Sequence, residues 1–212
     1  QWMAQMSHQR EISEFVQRLK KLLSYNLGKE GCQTTLRREL EIVKEYIALQ
    51  QMRYDFIIEM NIEDGSYLDQ PTVRMLFQPL VENAIRYGLG DDEKISIQVF
   101  EDVARHFAVV TISDSGKGLN QEEIDEINQP FDYDWGYWKN ENRGIGLRYV
   151  KAMLESFYDG QTSLFVNSKK GFGTKITILL PVRKPEEKKE KDKEVTLEEN
   201  KVGQTDERID CR

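Results

Sequence analysis

The sequence predicts an α+β protein in which a mixed β-sheet carries helices on one face, with two further helices before this two-layer α/β sandwich. The helices indicated by apolar spacing are few but long, and several strand patterns are neighbours in the chain. The predicted order is helix-helix, strand-helix, strand-strand, helix-helix, strand-strand. Such a mixture favours a two-layer sandwich over a doubly wound sheet.

The composition excludes several classes of protein. With 212 residues, of which 39% are hydrophobic and 32% charged, the chain is expected to form one main domain. Its net charge of −7 provides no positive field for nucleic acid, which is therefore not expected as a partner. We expect neither a membrane span, nor membrane contact, nor a secretory leader. Two cysteines, Cys32 and Cys211, are too few for a disulfide framework and fit a reducing interior.

The first 54 residues are predicted to form two amphipathic helices. Apolar side chains recur at three- and four-residue steps from Ile12 to Leu23 and again from Leu36 to Leu49. Gly28 and the residues after it break the pattern. Two partners for the apolar faces stay open, namely the rest of the same chain and a second copy in a helical bundle.

A strand and a helix follow. Apolar residues alternate over 56–62, which predicts a strand, and the next helix is expected to begin near Pro71, whose fixed φ suits a first turn. This helix is predicted to continue to Ile85 and to end at Gly88.

The second half of the chain is predicted to hold two strand pairs separated by two helices. Asn120 and Glu123 form a capping-box pattern for the first of these helices, and Gly144 opens the second. The predicted strands lie over 94–100, 107–113, 162–167 and 175–180.

A polar pair, Glu82-Asn83, interrupts the apolar run of the predicted helix. Helical geometry places Asn83 about 20° around the axis from Leu76, close to the buried stripe. A buried amide needs a hydrogen-bond partner, which is either neighbouring backbone or a ligand. As a functional group it suits Mg²⁺ carrying substrate phosphates, with Glu82 accepting a proton or orienting water. Arg86, one turn later, could then meet phosphate oxygens.

The segment Asp114-Ser115-Gly116-Lys117-Gly118 comes directly after an apolar strand. A carboxylate at a strand end can accept a hydrogen bond from an exocyclic amine such as that of adenine, and the glycines let backbone approach a flat ring. An ordinary turn explains the same pattern when it is considered alone.

The segment Arg143-Gly144-Ile145-Gly146-Leu147 opens the last predicted helix. Free N–H groups at a helix start, without Cβ atoms on the glycines, form a cradle for an anion such as phosphate. A Rossmann fingerprint is excluded because no strand precedes the segment and the third glycine is missing.

A fourth signal is Thr174, which precedes the last strand and could place a hydroxyl near a bound base, although a hairpin turn explains its neighbouring glycines.

The four motifs in this order resemble the ATP-binding domain of the superfamily that includes DNA gyrase, heat-shock chaperones, histidine kinases and MutL. That resemblance implies a Bergerat-type fold. The runs QPLVENAIRYG, RRELEIVKEYIALQQMRY and LKKLLSYNL look like bacterial sensor histidine kinases of the autolysin-sensor type.

The resemblance implies roles for the motif residues. Asn83 would hold Mg²⁺, Asp114 would bind the adenine amine of ATP, and the two glycine pairs would shape the base pocket and flank the phosphates. Residues from about 119 to 143 would form a lid over the nucleotide. The family usually has His where this chain has Tyr87, so the contribution of that side chain near the phosphates is expected to differ.

The resemblance also implies the function, which is ATP-dependent phosphorylation of a histidine in a two-component system. The accepting histidine lies in a Pro-His-Phe-type motif that is expected upstream of this chain. The intact kinase would be a homodimer, anchored in a membrane with this part in the cytoplasm, and would pass the phosphoryl group to a response regulator. Two alternatives are a non-catalytic nucleotide-sensing and dimerisation module, and an ATPase or serine kinase of the same superfamily.

Three regions are expected along the chain. Residues 1–54 would belong to the dimerisation and phosphoacceptor region, and 55–183 to the ATP-binding catalytic domain. Residues 184–212 are rich in charges of both signs and are predicted to be a flexible tail.

Overall fold

The computed structural model describes residues 2–28, 34–89, 94–128 and 145–182. The predicted tail and most of the predicted lid lie outside these residues. The helices are α1 (Trp2–Asn26), α2 (Leu36–Gln51), α3 (Gln78–Tyr87), α4 (Gln121–Asn128) and α5 (Ile145–Phe157). The strands are β1 (Thr34–Thr35), β2 (Ile57–Ile62), β3 (Pro71–Thr72), β4 (Lys94–Asp102), β5 (Phe107–Asp114), β6 (Ser163–Ser168) and β7 (Thr174–Pro181), with a 3₁₀ turn at Ser66–Asp69.

A five-stranded mixed sheet forms one layer of the fold. Its strand order is β2-β4-β5-β7-β6, and β2 pairs parallel with β4 while the other pairs are antiparallel. Alternate residues such as Ile97, Val110 and Ile178 face a core that also includes apolar side chains of α2, α3 and α5. On the opposite face, Gln98 and Phe165 are exposed. The predicted α+β sandwich, with helices on one face of a mixed sheet, is confirmed.

The predicted start of the third helix is wrong. Pro71 does not open a helix but lies in β3, where it pairs with Thr35 of β1, and α3 begins only at Gln78. The apolar spacing predicted a helix here because Val73 and Leu76 are both buried, but the segment that contains them is not helical. Pairing with a distant strand therefore overrides the local period, and Pro79 is the proline of the first helical turn.

The two leading helices differ in how their apolar faces are covered. The apolar face of α2 is buried in the core of the same chain. On α1, Leu22 and Tyr25 pack against α2, whereas a stripe remains 38 to 69% exposed. The exposed α1 stripe comprises Ile12, Phe15, Val16, Leu19, Leu23 and Leu27. Among the described helices, none combines the length and apolar character needed to cross a bilayer.

Specific contacts confirm the predicted start of α4. The Asn120 N–H donates to Glu123 Oε2 and the Glu123 N–H donates to Asn120 Oδ1, both at 2.9 Å, which is the expected capping box. Beyond the end of α5, Asp159 and Gly160 adopt positive φ values of 50° and 73° and reverse the chain towards β6.

The buried carboxylate of Glu39 connects α1, α2 and the segment before α3 through hydrogen bonds. Glu39 of α2 is 2% exposed and accepts hydrogen bonds from the N–H groups of Met75 and Leu76, at 2.9 and 2.8 Å, and from the Tyr25 hydroxyl of α1. That hydroxyl also lies 2.9 Å from the hydroxyl of Thr34. Burial raises the pKa of Glu39, against the lowering effect of its hydrogen bonds. These contacts fix the segment that leads into α3.

Candidate functional site

A cleft lies between the helical layer and the end of the sheet where β5 finishes and β7 begins, and it encloses about 130 Å³. Residues of α3, α4 and α5 form its walls together with the loop after β5. Six residues predicted from the sequence line this cleft, which brings the four separate motifs together. They are Asn83, Tyr87, Asp114, Gly118, Leu147 and Thr174.

Asp114 is the last residue of β5, and one of its two carboxylate oxygens is held by hydrogen bonds. Its Oδ1 accepts hydrogen bonds from the N–H groups of Gly116 and Thr174, each at 3.1 Å. Thr174 stands opposite Asp114 in the β5–β7 ladder, so the sheet register places this donor. Burial raises the pKa of Asp114, and the two N–H donors act in the opposite direction. Within the described chain Oδ2 has no hydrogen-bond partner and can accept one from a ligand.

The Thr174 hydroxyl, which the sequence predicts to lie near a bound base, has a hydrogen-bond partner within the sheet. This hydroxyl lies 2.9 Å from Ser168 Oγ, across the β6–β7 pair. The contribution of Thr174 to the cleft is therefore its backbone N–H as well as its position in the wall.

The backbone segments around Asp114 pack so closely that only glycine, which lacks a Cβ, fits at several positions. A Cβ on Gly116 would lie 2.4 Å from the Cα of Gly88, and a Cβ on Gly88 would lie 2.4 Å from Cγ of Asp114. Gly173 has a φ of 86°, and its Cβ would lie 2.0 Å from the carbonyl oxygen of Asp114. From the sequence, Gly88 is predicted only as a helix stop and Gly173 only as part of a turn, although both lie close in sequence to the predicted motifs.

The loop after β5 is held against the β6–β7 hairpin. Gly118 turns at a φ of 64°, and a Cβ there would lie 2.1 Å from the Lys169 carbonyl oxygen. The Gly171 N–H donates to the Lys117 carbonyl at 2.7 Å, and the Leu119 N–H donates to Ser168 Oγ at 2.8 Å. The predicted glycine motif is thus a fixed wall of the cleft.

Asn83 is half-buried on the cleft side of α3, and its amide makes no hydrogen bond to any described residue. A Cβ on Gly146 would lie 3.5 Å from Asn83 Nδ2, so the start of α5 faces this amide. No group of three or more His, Cys, Asp or Glu side chains suited to a metal occurs in the described parts of the chain. An amide oxygen beside substrate phosphates does fit Mg²⁺, because this ion keeps water and phosphate among its ligands.

Two of the predicted residues on α3 point elsewhere. Glu82 and Arg86 form an ion pair at 2.8 Å, with side chains 44% and 61% exposed, and neither lines the cleft. The structure therefore does not bring the predicted proton acceptor and the predicted phosphate contact to the site. Helical spacing explains the difference, since Asn83 and Tyr87 occupy the cleft face.

The predicted anion cradle is described in part. Helix α5 begins at Ile145, Gly146 faces Asn83, and Leu147 is 4% exposed and lines the cleft. Arg143 and Gly144 lie outside the described residues, as does the Ile145 side chain.

Three charged residues that the sequence analysis did not assign also line the cleft, namely Lys117, Glu123 and Arg148. The Lys117 ammonium lies 4.8 Å from the centroid of the Tyr87 ring, a cation–π distance. Arg148 has a buried Nε with no hydrogen-bond partner. The signal for Lys117 and Arg148 was their position within or beside the glycine motifs.

Comparison with known proteins gives the family. The model described as "Histidine kinase-, DNA gyrase B-, and HSP90-like ATPase" matches residues 68–184, and the model "Histidine kinase" matches residues 1–57. The chain is 30% identical over 168 residues to the sensor protein kinase HptS of Staphylococcus aureus, in strain bovine RF122 / ET3-1 and in strain USA300. Each match covers 79% of this chain and 32% of the relative, so the chain spans about a third of the length of these curated relatives.

A solved structure supports the fold. The Acinetobacter baumannii histidine kinase AdeS superposes with a TM-score of 0.52 at 16% identity, over 86% of this chain and 84% of that one. The resemblance predicted from the ordered motifs is confirmed, because a family model covers more than half of the chain and includes every motif of the cleft. The chain belongs to the histidine kinase-, DNA gyrase B- and HSP90-like ATPase family.

Proposed function

We propose that this chain is the ATP-binding catalytic part of a two-component sensor histidine kinase. The observation that carries the proposal is the cleft in which the Asp114 carboxylate, the close-packed glycines and the Asn83 amide converge. The match of residues 1–57 to the histidine kinase model supports the kinase branch over an ATPase or serine kinase of the superfamily.

In this proposal the adenine amine donates to Oδ2 of Asp114, while the two N–H donors on Oδ1 hold the carboxylate in place. The close packing of Gly88 against Gly116 holds the backbone that borders this carboxylate. Asn83 would hold Mg²⁺, which neutralises phosphate charge when bound. The chain's own contribution to phosphoryl transfer is the positioning of the nucleotide.

The phosphoryl group would pass to a histidine of the preceding helical region and then to a response regulator protein. We assign residues 1–54 to the dimerisation region, 55–183 to the catalytic domain and 184–212 to a tail. In the intact kinase the exposed α1 stripe would pack against a second copy, since bundled helices bury such faces. We also propose that the parent protein is membrane-anchored, with this part in the cytoplasm.

Isothermal titration with a non-hydrolysable ATP analogue, with and without Mg²⁺, tests the site. We expect Asp114→Ala to abolish measurable binding and Asn83→Ala to remove the effect of Mg²⁺ alone. Asp55→Ala, an exposed acidic residue away from the cleft, is the matched control. Unchanged binding by Asp114→Ala, or no binding by the folded wild-type chain, would refute the proposal.

A non-catalytic nucleotide-sensing module is the second candidate. The observation that favours it is Tyr87, which lines the cleft where the family usually has His and lies under the Lys117 ammonium. This candidate predicts ATP binding without phosphotransfer in a longer protein that includes the accepting helix. Labelled phosphate on that helix would exclude it, and a gain of transfer in Tyr87→His would support it.

A further inference from the structure

Arg148 lies in the first turn of α5, next to Leu147 and two residues after the glycine that faces Asn83. It lines the cleft together with Asp114, but at the α5 wall rather than in the loop that holds that carboxylate. The residue therefore belongs to the α5 wall of the cleft, and its helical turn also carries Gly146.

The half-buried side chain of Arg148 has a donor without an acceptor among the described residues. Its Nε is buried without a hydrogen bond, and no carboxylate among the described residues forms an ion pair with it. The two acidic residues of the cleft are held by other groups. Asp114 accepts from backbone N–H groups, and Glu123 accepts from the Asn120 N–H in the capping box. A buried donor without an acceptor is costly, and an anion bound in the cleft would remove that cost by accepting from it.

The position of Arg148 is also unfavourable for the helix itself. A cation in the first turn lies at the positive end of the helix dipole, and α5 has no acidic side chain in that turn to balance it. Helix stability therefore does not explain an arginine here. An anion bound at this end would interact favourably with both the guanidinium and the free N–H groups.

We propose that Arg148 binds the phosphate chain of the nucleotide and makes the cleft prefer ATP over AMP. This inference rests on the proposed function. The planar guanidinium can bind two phosphate oxygens at once, which an ammonium cannot do. Arg148 contacts the substrate in this assignment, and the adenine end remains the task of Asp114.

Affinities of the wild-type chain, Arg148→Gln and Arg148→Lys for a non-hydrolysable ATP analogue and for AMP test the inference. We expect Arg148→Gln to weaken binding of the ATP analogue by about 10- to 100-fold, the usual range for a hydrogen bond to a charged group. Binding of AMP should change by less than about twofold, and Arg148→Lys should recover part of the loss. Arg105→Gln removes one exposed positive charge in the β4–β5 turn and is the matched control.

The outcomes separate this inference from the proposed function. If the wild-type chain binds the analogue and Arg148→Gln binds it equally well, Arg148 is not a ligand although the ATP site stands. An equal loss for the analogue and for AMP also overturns the assignment, because it indicates damage to the cleft as a whole. A folded wild-type chain that binds neither nucleotide overturns both proposals. Circular dichroism of each variant establishes that it is folded.

Discussion

Replacing Glu39 by alanine should destabilise the protein strongly, although this residue lies outside the cleft. The substitution leaves the N–H groups of Met75 and Leu76 buried without their acceptor. Each buried unsatisfied donor costs about 1–3 kcal/mol, and relief from burying a carboxylate offsets part of the sum. We therefore expect the free energy of unfolding to fall by about 3 kcal/mol.

Urea unfolding followed by circular dichroism measures this loss. Glu39→Gln keeps the shape and one acceptor oxygen, so we expect about half of the effect. Glu41→Ala is the matched control, because Glu41 is in the same helix with its side chain 48% exposed and pairs only with the nearby Arg38. Its cost should stay below about 0.5 kcal/mol. A loss in Glu39→Ala no larger than that in Glu41→Ala would refute the reasoning.

The pH dependence of stability offers a second readout for Glu39. Burial raises the pKa of this carboxyl in the folded state above the value of about 4.3 expected when unfolded. The folded state then binds the proton more tightly, so the contribution of this group is complete below about pH 4.3 and is lost as the pH rises through the raised pKa. Glu39→Gln should lack this component, and identical pH profiles for the two proteins would contradict the assignment.

Three further predictions concern the cleft and α1. Gly173→Ala should lower the free energy of unfolding in urea by about 2–5 kcal/mol, because backbone strain at a φ of 86° is joined by a clash with the Asp114 carbonyl. Gly171→Ala has a similar φ of 81° but open space around the added Cβ, so it should cost only about 1–2 kcal/mol. Equal costs would exclude the clash. Burial raises the pKa of Asp114, and only the ionised carboxylate can accept from the adenine amine at Oδ2 while Oδ1 accepts from the two backbone N–H groups. Affinity for an ATP analogue should therefore fall as the pH is lowered through that pKa. A titration series in which Asp114→Asn shows the same slope would disprove this. In analytical ultracentrifugation, Phe15→Glu should weaken self-association at least about tenfold and the exposed control Ser13→Glu should not, and equal effects would rule out the α1 stripe as the interface.

The sheet and most helices could be predicted because their local pattern agrees with their environment. The segments around Ile97 and Val110 alternate or are continuously apolar, as expected for strands that bury one or both faces. The start of α3 could not be predicted, since the pairing of Thr34 with Thr72 depends on residues far apart in the chain. Apolar spacing near Val73 reports burial there and not helical structure.

The candidate site was predictable where a functional side chain lies within a glycine motif, as Asp114 does near Gly118. It was not predictable where the partner comes from another element. The closeness of Gly88 to Gly116, and the buried Nε of Arg148, follow only from the packing of α3 and α5 against the sheet. Glu82 lies outside the cleft lining, because adjacency to Asn83 along a helix places the two side chains on different faces.

The register between β5 and β7 ties the chemistry of the cleft to the integrity of the core. Asp114 stands opposite Thr174, and two residues earlier the buried Ile112 stands opposite Ile176 on the same face of the ladder. Slippage of β5 by a single residue would turn Ile112 to the opposite face of the sheet and direct the carboxylate away from the cleft. Slippage of β7 would turn Ile176 in the same way and displace the Thr174 N–H from Asp114. A chain with an insertion inside either strand would therefore lose nucleotide recognition and stability together, so selection for a stable sheet also preserves the position of the carboxylate.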